Sequence, residues 1–148
     1  AKEFNYTQTQ QSKSYEVFIH QLKEIIRLAK KENVKIILIS EPSIYQTPLP
    51  PEIKAILWMG FMRKDLNLDP HFLETEMRRF NQAAREIAEQ EETPFFDLSN
   101  SVPKRTTHFY DDVHLTPAGS YAVADKLYPV ISRLIHSKES DDSQLAVT

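Results

Sequence analysis

A chain of 148 residues, 41% hydrophobic and 26% charged, has the composition of one globular domain and no room for a second sizeable core. Its net charge of −3 supplies no field that would draw in nucleic acid, and the lack of cysteine excludes disulfides and thiolate metal sites, in reducing and oxidising compartments alike. No apolar run approaches the ~20 residues that cross a bilayer, and the polar stretch Ala1 to Ser14 does not read as a signal peptide.

From Tyr15, the residues Phe18, Ile19, Leu22, Ile25, Ile26 and Ala29 recur at three- and four-residue steps, which predicts a helix with one apolar stripe and a cap at Ser12 or Ser14. Asn33 ends that pattern. Val34 to Ser40 is β-branched and almost wholly apolar, as in a parallel strand covered on both faces. Pro42, Pro48, Pro50 and Pro51 then make Glu41 to Pro51 a loop. A short helix is expected over Glu52 to Lys64, too greasy on all sides for one narrow stripe.

Asp69-Pro70 is a cap and first-turn pair for a long helix with Leu73, Met77, Phe80, Ala84, Ile87 and Ala88 on its buried side. Pro94 to Leu98 reads as a short edge or strand-start segment ending near Asp97. Thr116-Pro117 opens the last helix, whose expected packing face is Tyr121, Ala124, Leu127, Tyr128, Ile131, Leu134 and Ile135. Beyond His136 there is little to bury, so 137–148 is expected to be a disordered polar tail after a domain spanning 1–136. The alternation of helices and strands is that of a parallel α/β layer. Two strands are too few to cover each other, so the remainder is expected from a missing segment or another polypeptide.

The richest segment for chemistry is Asp111-Asp112-Val113-His114-Leu115-Thr116-Pro117-Ala118-Gly119. It sets a carboxylate three residues before an imidazole, just ahead of a helix. In a hydrolytic site His114 is the general base that takes a hydroxyl proton, and Asp111 orients the ring and stabilises its charged form. The bland alternative is that Asp111 caps a turn while His114 packs beside the helix entrance. Asp112, two residues from His114, reads as a solvated turn residue.

This block resembles the last sequence block of the SGNH (GDSL-type) hydrolase family, with Asp111 and His114 matching its Asp-x-x-His. The resemblance extends over about residues 14–135, the family's second half; the Gly-Asp-Ser nucleophile block, the oxyanion glycine and the Gly-x-Asn-Asp block have no counterpart. It implies a flavodoxin-like sandwich of which this chain holds the C-terminal part. It also implies a serine esterase acting on a small-molecule, carbohydrate or lipid ester, with no cofactor. The nucleophile and oxyanion hole would then lie outside this chain, which alone would be inactive.

Other residues have weaker claims. Ser40 and Ser43 follow the apolar strand without the Gly-x-Ser-x-Gly surroundings of a nucleophile elbow, so neither is expected to be catalytic. His108, Asp111, Asp112 and His114 admit a metal reading that no helical His-x-x-x-His pair supports. Glu41, Tyr45 and Trp58 are candidates to line a substrate cleft. The apolar insertion 44–62 is open to three uses: a lid or acyl-binding wall, core filling, or contact with a partner or membrane. The competing function is a non-catalytic α/β module that binds a protein or carbohydrate through that insertion.

Overall fold

The computed structural model describes residues 8–58 and 69–136. Its elements are α1 (Gln8–Lys31), β1 (Leu38–Ile39), α2 (Pro51–Lys54), α3 (Pro70–Gln90), β2 (Phe95–Phe96) and α4 (Pro117–His136). The expected tail, 137–148, lies outside the described residues.

Helix α1 begins before Ser12, so neither serine expected as its cap performs that role. Its end is where Asn33 was expected to stop it: Asn33 takes a left-handed conformation (φ 53°), and Val34 N–H reaches back to the Ala29 carbonyl at 2.8 Å. Helix α3 closes in the same way through Glu92 (φ 48°) and the bond from Thr93 N–H to the Ala88 carbonyl at 2.8 Å. Its start matches expectation, with Asp69 accepting from His71 N–H at 2.8 Å ahead of Pro70. The two helices lock through Phe80, whose ring meets Tyr15 and Phe18 edge-on at 5.4 and 5.0 Å between centroids.

The sheet overturns the expected architecture. Leu38 pairs with Phe95 and Ile39 with Phe96 in parallel, and these two strands form the whole sheet among the described residues. A flavodoxin-like α/β sandwich needs a broad sheet; here helices of 24, 21 and 20 residues accompany two strands of two residues each, so the fold is mostly helical. The reason is that β propensity needs a partner to become a ladder. Val34 to Ser40 finds only β2, which follows Pro94 and bends away where Leu98 N–H turns back to the Phe96 carbonyl at 3.1 Å. Nor is the run covered on both faces, since Val34 and Ile39 are exposed.

Strand alternation sorts the core into two clusters. Leu38 and Phe95 face Ile26 of α1 and Ile87 and Ala88 of α3. Phe96 belongs to the other cluster, where Ile44, Tyr45, Ile53, Leu57, Leu98, Val102 and Phe109 are buried. Helix α4 joins that second cluster through Val123 and Leu127, whereas Tyr121, Tyr128, Ile131 and Ile135 of its expected packing face are exposed. A helix apolar on several sides leaves the choice of face to its neighbours. Ile25, expected in the α1 stripe, is likewise exposed. The expected helix Glu52 to Lys64 is a single helical turn, α2, that ends in a turn at Ala55 and Ile56; 59–64 lie outside the described residues.

Candidate functional site

The segment between β2 and α4 builds the Asp111–His114 pair from its own backbone. Phe109 and Leu115 form an antiparallel bridge, with Tyr110 N–H bonded to the His114 carbonyl at 2.8 Å and Thr116 N–H to the His108 carbonyl at 3.0 Å. Asp111, Asp112 and Val113 are therefore the tip of a tight hairpin. Asp111 Oδ1 accepts the backbone N–H groups of Val113 (3.0 Å) and His114 (2.9 Å), an Asx turn that places its other oxygen against the ring. His114 Nδ1 lies 2.8 Å from Asp111 Oδ2.

This contact has a chemical consequence. A carboxylate only accepts, so Nδ1 carries the ring proton and Nε2 of the neutral ring is left as the basic nitrogen. Burial pulls the Asp111 carboxyl upward, but the N–H groups of His114 and Val113, and then the imidazole, outweigh it and hold the acid below the usual carboxylate range. The His114 side chain is 67% exposed, so the pair contributes at most ~1 kcal/mol to folding; its main effect is orientation of the ring. Asp111 thus caps the turn with one oxygen and holds the imidazole at Nδ1 with the other.

Asp112 is not the solvated turn residue its spacing suggested: it is 1% exposed. Its Oδ1 accepts the Tyr45 hydroxyl at 2.7 Å, its Oδ2 accepts the Trp58 backbone N–H, and its carbonyl accepts Ile44 N–H at 3.0 Å. One side chain thereby ties the hairpin tip to both ends of the 44–58 stretch. Burial, and then the Asp112 carboxyl, push the Tyr45 phenol up. Tyr45, expected to line a cleft, is instead a core residue, and Ile44, Ile53 and Leu57 beside it fill the core as well. Trp58 is 46% exposed. Residues 59–62 of the insertion lie outside the described residues.

A cavity of about 540 Å³ opens beyond the carboxyl ends of the two strands, between α3 and the loop after β2. Glu41 is on its lining, exposed, with its backbone N–H and carbonyl paired to the Asn81 amide at 2.8 and 2.9 Å. Asp97 organises the floor: its carboxylate accepts from Ser40 (2.9 Å), Ser99 (2.8 Å), Asn100 (2.9 Å) and Arg85 (2.7 Å). Ser40 also accepts Ser99 N–H at 2.9 Å, which makes it a structural link between the strand ends. Asp111 and His114 do not line this cavity.

Burial raises the Asp97 carboxyl, but hydrogen bonds from Ser99, Asn100 and Ser40 more than reverse this and leave it below the ordinary range. A carboxyl depressed in the folded state contributes stability that is complete above its unfolded value, about 3.9, and lost as pH falls through the folded value. Urea midpoints should therefore hold from about pH 7 to about pH 4.5 and drop below about pH 4. Asp97→Asn should lower the neutral midpoint and flatten that acid decline. Glu74, held down by Thr47 and Arg78 against its burial, and Asp111 add slopes of the same sign.

His108 Nδ1 lies 2.9 Å from Thr107 Oγ1, and among the described residues no three His, Cys, Asp or Glu side chains converge as a metal cage. His20 and His136 are exposed on helices, and His71 is in the first turn of α3. Sequence reading missed Asp112 and undervalued Asp97. The latter had a signal, an acid directly after a strand, where parallel sheets expose their ends; the former had none, because its burial depends on Tyr45 and Trp58. Comparison with family models, with curated proteins and with solved structures finds no match.

Proposed function

We propose that this chain supplies the acid–base half of a serine-type ester hydrolase, with His114 as general base, Asp111 as its orienting carboxylate, and the nucleophilic serine and oxyanion donors contributed from outside the chain. The reading rests on the 2.8 Å contact between Asp111 Oδ2 and His114 Nδ1, on a side chain that is 67% exposed. In the reaction, Nε2 takes the proton as a serine oxygen attacks an ester carbonyl. The imidazolium, stabilised by Asp111, then returns it to the departing alkoxide as the acyl-serine forms; water repeats the cycle and releases the acid. The resemblance to SGNH hydrolases agrees with this division and points to a small-molecule, carbohydrate or lipid ester. The chain by itself is inactive on this reading.

The test is ester turnover and fluorophosphonate labelling in the natural protein that contains this sequence. His114→Ala should lower kcat/KM by about 10³ or more. Asp111→Asn should keep the turn, since its amide oxygen still accepts both backbone N–H groups, yet lose about 10² to 10⁴ in kcat because the ring loses its tautomer and its counter-charge. Unchanged turnover in both variants, or His114-dependent hydrolysis by these residues alone, would refute the assignment. A non-catalytic binding module is favoured by one observation: Trp58 is an exposed aromatic at the end of a stretch whose Ile44, Tyr45, Ile53 and Leu57 are buried. Loss of ligand capture on Trp58→Ala, with no labelling by the probe, would select it.

A further inference from the structure

The cavity between α3 and the loop after β2 is lined by neither Asp111 nor His114, so its chemistry is independent of theirs. Its lining carries both signs of charge, but the two signs are not equally engaged in hydrogen bonds. Both Asp97 oxygens are taken, two donors each, and Glu74 gives one oxygen to Thr47 at 2.7 Å and the other to Arg78. The cations are far less committed. Lys104 donates once, to the Tyr45 carbonyl, out of three N–H bonds, while Arg85 and Arg78 each use one of five. Among the described residues, the unused hydrogen-bonding capacity of these charged side chains is therefore mainly donor.

Ser43 adds an independent indication. It is 5% exposed, lines the cavity and makes no hydrogen bond among the described residues, while no fully enclosed side-chain polar atom there lacks a partner. Its hydroxyl therefore opens onto the cavity itself. A hydroxyl that faces the cavity with no protein partner is free to bond a group placed in that space. The size favours a ligand as well, because about 540 Å³ suits a small molecule.

We propose that this cavity binds the anionic oxygens of a small molecule, a carboxylate or a phosphate, gripped by Lys104, Arg78 and Arg85 and positioned by the Ser43 hydroxyl. A cationic ligand would have to strip Asp97 or Glu74 of donors they already hold. Glu41 is exposed at the edge of the cavity.

The test is an amide chemical-shift titration of the 148-residue chain with inorganic phosphate and, separately, with acetate, each against sodium chloride at equal ionic strength. Saturable shifts at Ser43, Ser99, Asn100 and Lys104 with either anion, absent with chloride, are expected. Response to phosphate alone assigns a phosphate ligand, to acetate alone a carboxylate, and to both the shared chemistry. Lys104→Met should weaken binding about tenfold, and Ser43→Ala, which keeps every charge, about threefold. The proposal is overturned if neither anion saturates these signals, or if Ser43→Ala binds like the parent chain; that variant decides the matter even should Lys104→Met not fold.

Discussion

Asp112→Ala is expected to lower the stability of this protein by about 3 kcal/mol, a drop of roughly 10 °C in melting temperature for a domain of this size. The substitution removes two acceptors at once and strands two donors, the Tyr45 hydroxyl and the Trp58 N–H, in a place that is 1% exposed. Each orphaned donor costs about 1 to 3 kcal/mol, partly offset by no longer burying a carboxyl group. Asp112→Asn separates geometry from charge: its oxygen can accept from Trp58 while its amide donates to the tyrosine oxygen, so a loss of only about 1 kcal/mol is expected. Combining Asp112→Ala with Tyr45→Phe should cost less than the sum of the two, because the second change removes a donor the first had orphaned. Additive melting temperatures would show that Asp112 does not act through Tyr45.

Gly119→Ala should destabilise by about 2 to 3 kcal/mol, although alanine is the better helix former by about 1 kcal/mol. A Cβ on Gly119 would lie 2.1 Å from the His108 carbonyl oxygen and 3.0 Å from its carbon, both backbone atoms that cannot rotate away. That carbonyl is also the acceptor for Thr116 N–H, and the Thr116 hydroxyl caps Gly119 N–H at 3.1 Å while donating to the Thr107 carbonyl at 2.6 Å. Relief of the clash must push α4 off the hairpin, and the hairpin carries Asp111 and His114. Hence the same substitution should broaden or shift the His114 ring resonances and, on the proposed chemistry, reduce turnover beyond what the melting temperature explains. A variant with unchanged stability would mean that the helix and hairpin slide apart freely.

Local features of this protein were legible where the physics is local. Asn33 ends α1 because asparagine readily takes the left-handed conformation that closes a helix, and Asp69-Pro70 and Thr116-Pro117 open theirs because first-turn N–H groups need an acceptor and proline has none to lose. The spacing of Asp111 and His114 belongs to the same class: three residues are what an Asx turn spans, so the pair assembles from one short segment. Burial was not legible in that way. Asp111 and Asp112 are neighbours of one residue type, yet one steers an exposed ring and the other is the anchor of a core cluster, a difference imposed by Tyr45 and Trp58 from far along the chain.

By itself the sequence determined the end of α1 at Asn33, the starts of α3 and α4, and the spacing that lets Asp111 meet His114, since each needs only bonds between residues a few positions apart. Only the tertiary structure decided that Val34 to Ser40 forms two rungs of a ladder, that α4 packs through Val123 and Leu127, and that Ser43, Asp97 and Lys104 share a cavity. Pairing, facing and enclosure depend on which surfaces the rest of the chain brings alongside, and an apolar pattern permits several such partners while geometry admits one.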